Sequence, residues 1–144
     1  MKIGERGATL IKKYESCRLE AYLPTEHDVP TIGFGHTRGV AMGDTCTQEQ
    51  ADAWFLEDIA WVEDCVNRAT TVGLMQNEFD ALCSLCFNIG CNAFSGSTLV
   101  KLLNNSDYDG ASAEFARWNK QNHQVLAGLT KRRQAEAQLF EEVA

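Results

Sequence analysis

The feature that most constrains the fold is a break in periodicity near the start of the chain. Up to Tyr14, and again from Thr47 onward, apolar residues recur at the three- and four-residue steps of amphipathic helices, but between Arg18 and Gly35 they do not. In that interval Leu19, Tyr22, Val29, Thr31, Ile32 and Phe34 are strand formers divided by the polar turn segment "PTEHD", so a β-hairpin is expected. Gly33, Gly35 and Gly39 allow close backbone approach or unusual φ values in the returning strand or just after it. A mostly helical chain with one early hairpin is an α+β protein with a small N-terminal sheet.

The helices follow from the apolar stripes. Ile3, Gly7, Leu10, Ile11 and Tyr14 predict a helix over residues 4–14, with Glu15 at or near its C-terminal end. Thr47 and Gln50 form a capping-box signature, and Ala51, Trp54, Phe55, Ile59, Val62 and Val66 continue it as a helix of about five turns. That length suits a connector between two lobes. "MQNEFDALCSLCFNI", from Met75 to Ile89, is apolar on more than one face, as a nearly enclosed central helix is. Shorter helices are expected over 97–104, 110–118 and 130–142, the last with Thr130 as N-cap. At 144 residues the chain fits one domain, 1–144, and a cleft between its lobes is the default place for a ligand.

Charge narrows the partners. A net charge of −7 argues against nucleic acid, whose binders carry surplus Lys and Arg, and it gives no attraction to other anionic polymers. No apolar run approaches the length of a bilayer span, and "MKIGERGATLIKKYES" lacks the apolar core of a signal peptide. The chain is therefore expected to start soluble in the compartment where it is made, without stable membrane insertion and as a monomer. Six cysteines stand at 17, 46, 65, 83, 86 and 91. Buried free thiols are the expected state, because the lone Cys-x-x-Cys in "LCSLCFNIGC" lacks the second ligand pair of a zinc site. Pairing after export stays open, although Cys46 and Cys65, at opposite ends of one expected helix, are too far apart to join.

The chemistry concentrates where the first helix meets the hairpin. Glu15 can face the cleft while helix and sheet partly exclude water, and a partly buried carboxyl holds its proton to higher pH, as a general acid requires. Glu26 and Asp28 lie in the turn opposite, where solvent keeps carboxyls ionised; acidic residues in turns are also commonly just solvated. Two carboxyl groups in unlike environments are what glycoside hydrolysis uses, one protonating the leaving oxygen, the other steering water or stabilising the developing positive charge. Thr31 could position that water.

The segment "YESCRLEAYLPTEHDVPTIGFGHT" resembles the catalytic segment of the phage-type lysozymes, the endolysin muramidases of glycoside hydrolase family 24. The likeness continues through "TCTQEQADAWFLEDIAWVEDCV", "NEFDALCSLCFNIGCNAFSGSTLVKLLN", "FARWN" and "GLTKRRQAEAQLF", and so covers nearly the whole chain. It implies a lysozyme-like fold and hydrolysis of the β-1,4 bond between N-acetylmuramic acid and N-acetylglucosamine in peptidoglycan, with no cofactor and no metal. On that resemblance Glu15 matches the general acid, Thr31 the active-site threonine, Phe87 and Asn88 residues lining the saccharide cleft, and Arg132 a basic residue that contacts substrate. It also implies a protein made in the host bacterial cytoplasm that reaches the periplasmic wall after holin-dependent release.

One position departs from that pattern. The family's second acid falls on Pro24 when counted forward from Glu15 and on Thr25 when counted back from Thr31, because the turn is one residue longer. Asp28, at the base of the returning strand, is the first choice for the missing carboxylate, and Glu26 the second. If neither reaches the cleft, a lytic transglycosylase or a non-catalytic wall-binding module on the same fold is the alternative.

The remaining residues that catch the eye have plainer readings. His36 is expected to make a structural hydrogen bond or salt bridge to an acid of the helical lobe, and His27 to be solvated. Trp54 and Trp118 are expected to pack, although tryptophans also stack on sugar rings. Asn105, Asp107 and Asp109 imitate calcium-loop spacing, but Ala116 stands where a bidentate Glu is needed, leaving a helix-start loop.

Overall fold

A computed structural model describes residues 1–143, so the last residue of the expected 1–144 domain lies outside the described residues. The chain runs as helix α1 (Glu5–Glu15), hairpin β1 (Arg18–Tyr22) and β2 (Thr31–Gly33), then α2 (Gln48–Ala69), α3 (Gln76–Ile89), α4 (Cys91–Ser95), α5 (Thr98–Asn104) and α6 (Tyr108–Glu114). A 3-10 turn (Phe115–Arg117), a second small hairpin of β3 (Lys120–Gln121) and β4 (Gln124–Val125), and helix α7 (Ala127–Glu141) complete it. The fold is the mostly helical α+β architecture expected, with the two-stranded sheet between the first two helices.

Helix α3 is the centre. Phe79 through Cys86 are all buried, including Asp80 and Ser84, and the helix packs between α1, α2 and α7. The main core gathers Val62 and Val66 from α2, Leu82 and Leu85 from α3, Phe94, Leu99, Leu103, Phe115 and Phe140. Each such side chain stabilises by about 1.5–3 kcal/mol when fully buried. A smaller cluster of Ile11, Phe55 and Ile59 fastens α1 to the start of α2, and Phe87 packs against both.

Local chemistry fixes the ends. α2 starts at the capping box read from the sequence, Thr47 Oγ1 accepting from Gln50 N–H at 3.1 Å while Gln50 Oε1 accepts from Thr47 N–H at 2.9 Å. α1 has only Gly4 as N-cap, and the cap is supplied in trans: Asp80 Oδ1 on α3 accepts Gly4 N–H at 2.8 Å. The β1–β2 pair is antiparallel, with Arg18 opposite Gly33, Tyr22 opposite Thr31 and a register shift between. Gly33 sits at φ +63° with Ala51 of α2 close behind it, which lets the sheet lie against that helix.

Several boundaries moved. α7 begins at Ala127 after Leu126, so Thr130 is inside the helix and no N-cap; its hydroxyl accepts from Asn119 Nδ2 at 3.2 Å. The expected helix over 110–118 is α6 and the 3-10 turn, started by Asp107 capping Gly110 N–H at 2.8 Å. Helix α4 and the β3–β4 hairpin lay in stretches too short for periodicity to register. The expectation of free thiols also needs correcting: Cys65 on α2 and Cys91 on α4 form a disulfide, with Cα atoms 6.0 Å apart. Cys17, Cys46, Cys83 and Cys86 are free.

Candidate active site

A cleft of about 720 Å3 lies between the first hairpin and the helical part. Tyr22, Pro24, Thr25, Asp28 and Thr31 form one wall; Phe87, Asn88, Gln121, Leu126 and Arg132 line the other, with Trp61 and Glu15 also facing in.

Glu15 is the last residue of α1, which stops there because Ser16 turns to φ 56°. Its Oε1 accepts from Arg132 Nη1 at 2.6 Å, and its side chain keeps 17% exposure. Oε2 takes no hydrogen bond among the described residues and lies against Gly35, where any Cβ would overlap it. Gly35, at φ +71°, thus serves the turn after β2 and the seat of the carboxyl together. Only a residue without a side chain leaves that oxygen room.

Behind Arg132 lies a buried charge cluster. Positions 132, 133 and 136 of α7 are neighbours at helical spacing and meet α3. Arg132 Nε donates to Glu136 Oε2 at 3.2 Å and Nη2 to the Ser84 carbonyl at 3.1 Å. Arg133 Nε stands 2.7 Å from Glu136 Oε1, and its Nη2 donates to Asn88 Oδ1 at 2.8 Å. The Ser84 hydroxyl donates to Glu136 Oε2 at 2.5 Å. Burial pushes the Glu136 carboxyl up from its ordinary value, while two guanidiniums and the Ser84 hydroxyl pull it back. Burial likewise lowers the Arg133 guanidinium to about 10, which leaves it charged.

The opposite wall is built from the turn. Asp28 is exposed and closes its own loop, accepting Val29 N–H at 3.0 Å and donating its own N–H to the Thr25 carbonyl at 3.1 Å. Thr31 is 4% exposed, and its hydroxyl donates to the Val29 carbonyl at 2.9 Å, which leaves the oxygen's lone pairs free to accept from water. Thr25 Oγ1 accepts from Gln121 Nε2 at 2.9 Å, a contact that spans the two walls. Desolvation raises the Tyr22 hydroxyl above its usual value, with Glu15 adding to it.

Glu15, Asp28, Thr31, Phe87, Asn88 and Arg132, read from the sequence, all line this cleft. Glu26, the second choice for the missing acid, is exposed and is not among the lining residues. Arg132 is 3% exposed, with its donors engaged inward. His36 pairs with Asp58 on α2 at 2.9 Å and stacks on Trp54 with ring centroids 4.7 Å apart, the structural role expected of it. Sequence reasoning passed over Gln121 and Glu136. Glu136 had one faint signal, a carboxylate four residues after Arg132 on the same helix.

The model of the family described as phage lysozyme matches residues 12–136 of the chain, the stretch that contains every residue of this cleft. The chain belongs to the phage lysozyme family. Among lysozyme relatives, it is 52% identical over 145 residues to an endolysin of Acyrthosiphon pisum secondary endosymbiont phage 1, covering 98% of this chain and 99% of that protein. It is 42% identical over 142 residues to the endolysin of Salmonella phage P22, covering 95% and 97%. The muramidase domain of SpmX from Asticaccaulis excentricus superposes with a TM-score of 0.88 at 36% identity, over 99% of each chain. Among the described residues no helix is long and apolar enough to cross a membrane.

Proposed function

We propose that this phage lysozyme is an endolysin that hydrolyses the β-1,4 bond between N-acetylmuramic acid and N-acetylglucosamine in peptidoglycan. The observation that carries the reading is Glu15 itself: one oxygen is held by Arg132, and the other, with no hydrogen-bond partner among the described residues, lies over Gly35 in an open cleft. Oε2 protonates the glycosidic oxygen as the bond to the anomeric carbon breaks. Positive charge then develops on the sugar ring and needs a counter-charge from the far wall.

Asp28 is the carboxylate for that purpose, ahead of Glu26, because it lines the cleft and Glu26 does not. The Thr31 hydroxyl, with its hydrogen directed at the Val29 carbonyl, accepts a hydrogen bond from the attacking water and turns the water's lone pair toward the anomeric carbon, while Asp28 takes the proton the water loses as the new C–O bond forms. Phe87 offers an apolar face to the saccharide and Asn88 a polar edge. Arg132 acts on the substrate chiefly through Glu15, since its guanidinium is turned inward.

The protein works as one domain and a monomer on the bacterial wall, with no nucleic-acid partner, and passage from the host cytoplasm is supplied by a holin. Its charge of −7 leaves shape and hydrogen bonding to hold an anionic polymer. Clearing of outer-membrane-permeabilised Gram-negative cells, with the released sugar ends identified, tests the reading. Reducing ends support hydrolysis; anhydro-sugars would make it a transglycosylase, and binding to sacculi without release would make it a wall-binding module.

A further inference from the structure

We propose that Glu136 is the positioning residue of the site: it anchors Arg132 and, by carrying the opposite charge, sets how much of that guanidinium's charge falls on Glu15. The inference rests on Glu15 being the general acid.

The geometry is a chain of three charged contacts. Glu15 Oε1 meets Arg132 Nη1 at 2.6 Å, Arg132 Nε meets Glu136 Oε2 at 3.2 Å, and Glu136 Oε1 meets Arg133 Nε at 2.7 Å. Glu136 is fully enclosed, and Arg132 and Arg133 are 3% and 1% exposed, so solvent does little to screen them from one another. Glu136 thus sets a second carboxyl against the two guanidiniums that Glu15 would otherwise share the pocket with. Without Glu136 the same pocket would hold Glu15 against two guanidiniums, and a carboxylate so surrounded gives up its proton too readily to act as an acid.

Other groups around the pair do not substitute for Glu136. Around Glu136 itself, α3 contributes the Ser84 hydroxyl, and α7 contributes both arginines. Around Glu15, β1 contributes Tyr22, neutral at working pH, while Asp28, Asp58 and Arg38 line the same cleft. Glu136 is the carboxylate in direct contact with Arg132 on the side away from the cleft. Gln in its place retains an acceptor for Arg132 Nε, and the Ser84 carbonyl still holds Arg132 Nη2, so the guanidinium stays while the counter-charge goes.

The experiment follows the Glu15 carboxyl by 13C NMR titration, with Glu15→Gln used to assign its resonance, beside the alkaline limb of the clearing-activity profile. In Glu136→Gln the Glu15 midpoint should fall by about half a pH unit or more, a fraction of what a neighbouring charge can do. The alkaline limb should move the same way. Glu136→Asp, which keeps the charge, should leave the midpoint near the wild-type value. Arg133→Gln reads the same balance from the other side and should raise it, which keeps the test open if Glu136→Gln does not fold. A folded Glu136→Gln, or Arg133→Gln, with an unchanged or oppositely moved midpoint overturns the proposal. Because the titration needs no turnover, an inactive wild type would overturn the muramidase reading while this measurement still stands.

Discussion

Thr25 and Gln121 bridge the two walls of the cleft: Gln121 Nε2 on β3 donates to Thr25 Oγ1 in the turn of the first hairpin at 2.9 Å. Thr25 occupies the place where the family's spacing, counted back from Thr31, would set an acid. A polymer lying across the cleft at this point would have to break the contact. Gln121→Ala should therefore tighten binding to sacculi by as much as about fivefold, the free energy of one neutral hydrogen bond, with little change in melting temperature. A pull-down isotherm on purified sacculi decides it, and weakened binding would make Gln121 a substrate ligand instead of a strap.

The three acids should separate cleanly. Glu15→Gln is expected to lose about a hundred- to ten-thousand-fold in clearing rate, the usual contribution of a positioned acid, while remaining folded because Arg132 keeps Glu136. Asp28→Asn should lose about a hundredfold or more, and Glu26→Gln should stay within about twofold. Turbidity assays on purified variants of matched circular dichroism rank them. A Glu26→Gln loss matching that of Asp28→Asn would reassign the second carboxylate.

Gly35→Ala should hurt activity beyond its effect on stability. The left-handed φ costs a non-glycine residue about 1–2 kcal/mol, and the new methyl would also displace Glu15 Oε2. Thermal melts give the first effect and clearing rates the second; a variant merely less stable, with full activity per folded molecule, would remove Gly35 from the site.

The thiols should divide by burial. Cys17 and Cys46 are partly exposed, whereas burial pushes Cys86 up to about 12 and Cys83 still higher. Native protein should thus react with iodoacetamide at the first two only, and at all four once unfolded without reductant. Reducing Cys65–Cys91, which spans a sequence separation of 26, should lower stability by about 3–4 kcal/mol on the loop-entropy account. Peptide mapping and denaturant melts with and without reductant check both statements.

Arg6 on α1 grips Glu142, just past α7, through a hydrogen bond from Nη2 to Oε1 at 2.8 Å and an ion-pair contact between Nη1 and Oε2 at 2.6 Å. That hydrogen bonding holds the Glu142 carboxyl below its ordinary range. A carboxyl lowered on folding stabilises above the ordinary range and loses that contribution as pH falls through the lowered value. Glu142→Gln should accordingly flatten the acid end of the melting-temperature profile slightly, since both side chains are solvent-exposed. An unaltered acid limb would mean that the pair contributes nothing to stability.

How far the sequence carried can be read at single residues. Thr47 with Gln50 announced the start of α2 because a capping box is a local exchange of hydrogen bonds, complete within four positions. The apolar run through Phe79 and Leu85 announced the enclosed helix, since a helix buried all round has no polar face to show. The hairpin, Glu15 at a helix end and glycine at 35 were legible for the same reason: each is a backbone requirement written where it acts. Thr130 misled because Ala127 through Leu129 are already helical, with tertiary packing of α7 overriding a weak cap preference.

What the sequence by itself determined was the local grammar: which stretches are helix or strand, where they start, and that carboxyls cluster beside a glycine-rich turn. Only the tertiary structure decided which groups touch across distance. It brought Arg132 to Glu15 over a separation of 117 residues, Gln121 to Thr25 over 96 and Asp80 to the bare N-terminus of α1 over 76. It also paired Cys65 with Cys91 and chose Asp28 over Glu26 for the cleft wall. Such contacts depend on how helices pack around α3, and packing is settled by the summed burial of the whole core, which no short stretch of sequence records.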